Sequence, residues 1–349
     1  MVKFHRLGLG GQEQRRSGLR PSGLRLLGLR LLGRSGIKVS PLGLGTARLA
    51  GLGWRDKLTP QDASQGIREA IRQIQVAVDL GVTFFDTADN YGQGLSESIL
   101  GEALRGRRDG IVVATKFGED PIPDVEDPWL LNAISVTQKC EASLRRLEVE
   151  CLDLYLLHRR DYPLERAPDL LEVLEDLVRA GKLRYYGWST DDVERARLFA
   201  GGDHCIAIEH RLNVFNDNAA MLDLCQEQDL ASLNRVPLLM GVLSGKWSPE
   251  KKLEEGDPRA QWFEQQEFLD LLDCAQQIEP YLTCDGRSYV QGALGWIWAR
   301  SPVTIPLPGF RDMDQMQALV QAQQFGPLPM DAMQSIAERV KSTGISRDD

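Results

Sequence analysis

Two apolar patterns alternate along this chain. Short apolar runs, several of them rich in β-branched and aromatic residues, occur at 41–46, 82–85, 111–115, 152–157, 182–187, 205–209, 231–234 and 303–305. Runs of this length and composition read as strands buried on both faces. Between them lie segments with apolar residues at helical spacing. The clearest covers 62–80, where Ile67, Ala70, Ile71, Ile74, Ala77 and Val78 share one face and Gly81 follows as a C-terminal cap. Further helices are expected from Ser96-Glu97 onward, with Ser96 as N-cap, and over 135–147, 169–180, 218–228, 290–299 and 330–340. Residues 30–40 read as a hairpin turning at Ser35-Gly36. Strand and helix repeated eight times imply a parallel sheet with right-handed crossovers, and eight strands close into a barrel. The expected fold is α/β: a (β/α)8 TIM barrel with an N-terminal β-hairpin and extra C-terminal helices. Trp296 and Trp298, on the 290–299 helix, read as core residues against the barrel wall.

Composition narrows the possibilities further. A hydrophobic content of 42% over 349 residues supports a sizeable core, and one α/β barrel can use that length. The net charge of −9 argues against nucleic-acid binding by bulk electrostatics. No apolar run approaches the roughly 20 residues of a membrane span. The six cysteines form no C-x-x-C pair and have no metal-ligand spacing with the four histidines, so reduced buried thiols in a cytoplasmic protein are expected and no metal.

The charge is unevenly spread. Residues 1–36 hold eight basic residues and one acid, a local +7, which leaves −16 on the other 313. The same stretch repeats Gly-Leu-Arg at 18, 23 and 28, a five-residue period that fits neither helix nor strand. Its arginines superficially suggest a transit peptide, but the glycines spoil an amphipathic face. A disordered basic extension, or a start-site artefact, over 1–29 ahead of a barrel domain over 30–349 is the preferred division.

The candidate chemistry sits at the carboxyl ends of successive strands: Asp86, then Tyr91 five residues on, Lys116 and His158. In a parallel barrel a polar residue at that end reads as catalytic. Each residue alone has a plain structural explanation as cap, terminus or packing group; their conjunction at one end of consecutive strands is what points to a site.

These residues carry a family resemblance. Phe85-Asp-Thr-Ala-Asp-Asn-Tyr-Gly, with Gly94-Leu-Ser-Glu behind it, resembles the active-site signature of the aldo-keto reductases. So do Thr115-Lys-Phe-Gly, Asp153-Leu-Tyr-Leu-Leu-His, Gly187-Trp-Ser-Thr and Ile305-Pro-Leu-Pro-Gly-Phe-Arg. The match runs from about Arg30 to the C-terminus and is most similar to the bacterial short-loop general branch. The resemblance implies NADPH-dependent reduction of aldehydes or ketones, or oxidation of the matching alcohols. Tyr91 would be the general acid, Lys116 and Asp86 would tune it, and a neutral His158 would orient the carbonyl. Tyrosine's ordinary pKa of about 10 is high for this work, and a nearby ammonium is expected to lower it.

The resemblance also implies an NADP(H) site. Ser189, Thr190, Glu209 and Asn213 would hold the nicotinamide. Pro237, Leu238, Gly241, Leu243, Gly245 and Lys246 lie in the loop that would wrap the pyrophosphate. Gly309, Arg311 and Gln315 would meet the adenosine end, with the Arg311 fork on the 2′-phosphate. The chain departs from the family in four places. Glu209 replaces the usual Gln, Ala318-Leu319 replaces Glu-Asn, Leu307 separates Pro306 from Pro308, and the 252–263 segment after the pyrophosphate loop is short. The absence of an early G-x-G-x-x-G argues against a two-domain dinucleotide fold. A cofactor-binding regulatory subunit of the potassium-channel β type shares this fold and tetrad and is the alternative. The partner expected is a small carbonyl or alcohol, with no nucleic acid and no membrane.

Overall fold

The computed structural model describes residues 27–49, 60–120, 131–248, 250 and 260–343. Most of the basic extension lies outside these residues, and so do all but the last four residues of the 252–263 segment.

Eight parallel strands form one sheet: β3 (Leu44–Gly45), β4 (Phe84–Asp86), β5 (Val112–Phe117), β6 (Leu152–Leu157), β7 (Leu183–Ser189), β8 (Cys205–Arg211), β9 (Ala231–Arg235) and β10 (Thr304–Pro306). Each pairs with the next in sequence order. The ends meet as well: Gly43 donates to the Pro306 carbonyl at 3.1 Å, Gly45 donates to that of Pro308 at 3.0 Å, and Gly45 bridges to Gly309. The sheet is therefore closed into the expected barrel. Alternate residues fill its interior, among them Phe84, Ala114, Leu154, Leu156, Ala207, Leu233 and Ile305. The residues between them face the helices, as Phe85, Val113, Tyr155 and Ile208 do. Both faces are thus buried, which is why the strands read as continuous apolar runs.

The antiparallel hairpin of β1 (Arg30–Leu31) and β2 (Lys38–Val39) plugs the amino end of the barrel. Leu32 and Val39 join the interior core, and the Arg34 guanidinium donates to the carbonyls of Ala200, Gly202 and Cys205. Gly33, at φ 54°, lies so close to the wall that a Cβ there would be 2.1 Å from the Ile206 carbonyl oxygen. Leu27 adds one contact ahead of the hairpin, its N–H donating to the Gln323 carbonyl at 3.1 Å.

The wall is built by helices α1 (Pro60–Asp79), α2 (Leu95–Leu104), α3 (Ala133–Leu147), α4 (Ala167–Arg179), α5 (Val193–Ala200), α6 (Ala219–Glu227), α7 (Gln266–Leu282), α8 (Tyr289–Arg300), α9 (Met313–Gln321) and α10 (Met330–Thr343). Trp296 and Trp298 on α8 are both buried, and the Trp298 indole donates to the Pro41 carbonyl. The start of α2 differs from expectation. Its N-cap is Gly94, at φ 89°, and Ser96 lies inside the first turn. The Ser96 hydroxyl faces the barrel instead, 2.7 Å from Thr46 Oγ1 and 3.0 Å from Thr87 Oγ1. Strands β5, β7 and β8 each run past their expected ends, so that Lys116, Ser189 and Arg211 are paired strand residues rather than loop residues.

Candidate active site

Three strands deliver the proposed catalytic groups to the carboxyl end of the barrel. Asp86 ends β4, Lys116 is the last residue but one of β5, and His158 follows β6, its N–H bonded to the Phe117 carbonyl at 2.8 Å. Tyr91 comes from the turn before α2, which is tied back to β5 by the Asp89 N–H donating to the Lys116 carbonyl. The sequence thus places four residues within 73 positions of each other, and parallel pairing brings them together.

Lys116 is the centre of the group and is fully buried. Its ammonium donates to Asp86 Oδ1 and Oδ2, both at 2.6 Å, and to the Thr87 carbonyl at 3.0 Å. It lies 5.4 Å from the centre of the Tyr91 ring. The Tyr91 and His158 rings meet edge to face, with centroids 5.9 Å apart. All four groups therefore face one small space.

Burial and charge set their protonation. Burial alone would discharge Lys116, but Asp86, Glu209 and Tyr91 outweigh it and hold the ammonium charged. Burial drives the Asp86 carboxyl up to about 7; Lys116 opposes this and Glu209 adds to it. His158 is pushed down to about 3 by burial and then by the positive charges of Lys116, Arg160 and Arg235. It is therefore neutral near neutral pH, as an orienting hydrogen-bond group requires. Tyr91 departs from expectation. Its phenol stands at about 12, because burial and the two carboxylates outweigh the nearby ammonium.

Glu209 belongs to this centre as well. It is 3% exposed, its Oε1 accepts from the Ser189 hydroxyl at 3.2 Å, and its Oε2 lies 3.3 Å from Lys116 Nζ. That oxygen has no hydrogen-bond donor aligned on it, and His158 Nδ1 also lacks a partner. Two buried polar atoms at this centre thus lack partners, and such atoms are rare in finished structures.

The remaining predicted residues divide by what they do in the fold. The Thr190 hydroxyl donates to the Arg160 carbonyl and accepts from the Asp192 N–H, which pins the loop after β6 to β7. The Asn213 amide bonds to the Val236 carbonyl and the Asn216 side chain, and its oxygen accepts from the Phe215 N–H. Ser189 is the one of this group that reaches the Lys116 centre, through Glu209. The loop after β9 has an unusual backbone: Val236, Leu239, Met240, Gly241 and Gly245 all have positive φ. Alternation of handedness of this kind turns successive N–H groups to one side and suits an anion. Pro237, Leu238, Leu243 and Lys246 lie along it. Gly309 sits against Gly45 at the closing seam, and Asp312 caps α9 by accepting from the Gln315 N–H. Arg311 and Gln315 are exposed at that helix start. Leu319 is buried in the core and offers no polar group where the family has one.

Sequence reading passed over a charged cluster beside His158. Arg235, at the end of β9, is ion-paired to Asp191, which also accepts from the Arg211 N–H at 2.6 Å. The paired arginines Arg159-Arg160, directly after His158, were the signal available for it.

A model described as the aldo/keto reductase family matches residues 41–341. The chain belongs to this family. It is an oxidoreductase, and it is 30% identical over 299 residues to the aldo-keto reductase YhdN of Bacillus subtilis, covering 82% of this chain and 85% of that one. A Schizosaccharomyces pombe relative, named aldo-keto reductase yakc [NADP(+)], is 30% identical over 69% of this chain and 74% of its own length. Among solved structures, the glycerol dehydrogenase AKR11B4 from Gluconobacter oxydans superposes with a TM-score of 0.76 at 26% identity, over 93% of this chain and 97% of that one. No helix among the described residues is long and apolar enough to cross a membrane.

Proposed function

We propose that this aldo/keto reductase interconverts small aldehydes or ketones and their alcohols with NADP(H), with Tyr91 as the proton donor to the carbonyl oxygen. The observation that carries the reading is the buried ammonium of Lys116, held by Asp86 beside a tyrosine and a neutral histidine. The name of the yeast relative supports the choice of nucleotide.

The nucleotide, when bound, supplies or receives the hydride. The protein's own groups do the rest. His158, uncharged, can donate a hydrogen bond to the carbonyl oxygen and fix its angle. Tyr91 can hand its proton to that oxygen as negative charge develops there. A phenol at about 12 would be a poor acid for a resting carbonyl, but it matches the alkoxide-like oxygen that develops during hydride addition. Lys116 faces the phenolate that results, and Asp86 keeps the lysine in place. The positive-φ loop after β9 would take the pyrophosphate, and Arg311 and Gln315 at the start of α9 the adenosine end.

Following NADPH consumption across aldehydes, ketones and sugars tests this reading. Turnover that disappears in Tyr91→Phe while nucleotide binding persists supports it. Nucleotide binding with no turnover in the natural protein would favour a regulatory subunit instead.

A further inference from the structure

Two carboxylates share one ammonium at this site. Lys116 meets both oxygens of Asp86 at 2.6 Å and stands 3.3 Å from Glu209 Oε2. All three residues are at most 5% exposed. With both acids ionised, this buried centre carries a net −1. The charged and titratable groups facing it do not cancel that charge. His158 is neutral, and Tyr91 is a protonated phenol. Arg235 on β9 is ion-paired to Asp191, and Arg160 on the loop after β6 is exposed to solvent. Glu209 points inward because strand residues alternate, and Ala207, two positions earlier on β8, also lies in the barrel interior. Its Oε1 is fixed by Ser189, while its Oε2 is buried without a donor. A carboxylate can only accept, so this oxygen suits an amide N–H₂ or a positive charge.

We infer that Glu209 makes this site grip oxidised nicotinamide nucleotide more tightly than reduced, and that the preference is switched by pH. The inference rests on the functional reading above. The oxidised ring is positive and the reduced ring is neutral, so a net negative centre beside it discriminates between the two. Loss of one charge at a few ångströms in partly screened surroundings changes affinity by about tenfold. The switch is a proton on Asp86. Asp86, raised by burial and by Glu209, takes up that proton at about 7. Below this value the centre is neutral; above it the negative charge stands. Raising the pH therefore tightens binding of the oxidised nucleotide relative to the reduced one.

The test is titration of the natural protein with NADP⁺ and with NADPH, by calorimetry, from about pH 6 to about pH 8.5, and the same series on Glu209→Gln. In the natural protein the ratio of the NADPH to the NADP⁺ dissociation constant should rise about tenfold across the range. In Glu209→Gln the ratio should drop toward NADPH and lose most of its pH dependence. A ratio that does not move with pH in the natural protein overturns the inference without use of any variant. So does an unchanged ratio in a folded Glu209→Gln protein. If neither nucleotide binds the natural protein, the functional reading itself fails and takes this inference with it.

Discussion

Lys116 is bonded to Asp86 through both carboxylate oxygens and lies 5.4 Å from the centre of the Tyr91 ring. The lysine is thus oriented by the aspartate before any substrate arrives. Its charge opposes the burial that raises the Tyr91 phenol but does not overcome it. Tyr91→Phe removes the proton donor and leaves the Lys116–Asp86 pair intact. Turnover is expected to fall by roughly two decades or more, the scale of a lost general acid, while nucleotide affinity changes little. Steady-state rates together with nucleotide titration check this. Unchanged turnover would remove Tyr91 from the proposed chemistry.

Arg311 governs the expected choice between nucleotides. It is exposed at the start of α9, and the buried Leu319 and neighbouring Ala318 give it no polar help. NADP(H) is expected to bind better than NAD(H). Arg311→Ala should remove about 1.5 kcal/mol of that preference, the low end for a hydrogen bond to a charged group because the site is wet. Dissociation constants for both nucleotides in both proteins decide it. Equal affinities in the natural protein would refute the assignment.

The barrel and the proposed site were legible because buried parallel strands leave an apolar signature and several of them end on a polar residue. What escaped the reading depended on pairing. Lys116 and Glu209 lie on β5 and β8, with β6 and β7 between them. No spacing in the chain announces that their side chains are 3.3 Å apart. The same holds for Ser96, which has the residue type of an N-cap but is drawn inward by Thr46 and Thr87. Helix α7 has a helical apolar face of Phe268, Leu271, Leu272, Ala275 and Ile278, obscured in the sequence by Pro280 in its last turn. The phenol's raised pKa was beyond reach for another reason: neighbouring charge can be guessed from motifs, but the extent of burial cannot.

The amino-terminal boundary can be placed by truncation. Removing residues 1–26 is expected to leave the melting temperature nearly unchanged, since they lack a core-forming pattern. Removal of Arg34 from the hairpin should act differently. Its guanidinium holds three carbonyls at 2.6 to 2.9 Å at the amino end of the barrel. Arg34→Ala removes these three bonds and should cost roughly 2 kcal/mol. Thermal unfolding of both variants checks the pair. A truncated protein that melts several degrees lower would show that the extension docks on the barrel.

Stability should depend on pH through three buried groups, with a definite sign. His158 is held down to about 3 and His210 to about 4, chiefly by burial. Their folded values lie below the ordinary histidine value of about 6.5, so both favour the folded state above that value and lose this effect as pH falls. Asp86, raised to about 7, acts oppositely, since the folded protein keeps a proton there that the unfolded chain has released. Between about pH 4.5 and about pH 6 the unfolded chain gains two protons on the histidines and forgoes one on the aspartate. A net uptake of one proton makes stability fall by about 1.4 kcal/mol per pH unit of acidification. Replacing His158 by Gln removes one of the two histidine contributions. The slope in that window should then be close to zero, although the catalytic site is damaged. Urea unfolding of both proteins at several pH values measures it. A His158→Gln protein that keeps the full slope would mean that His158 is already protonated in the folded state and cannot be the neutral orienting group.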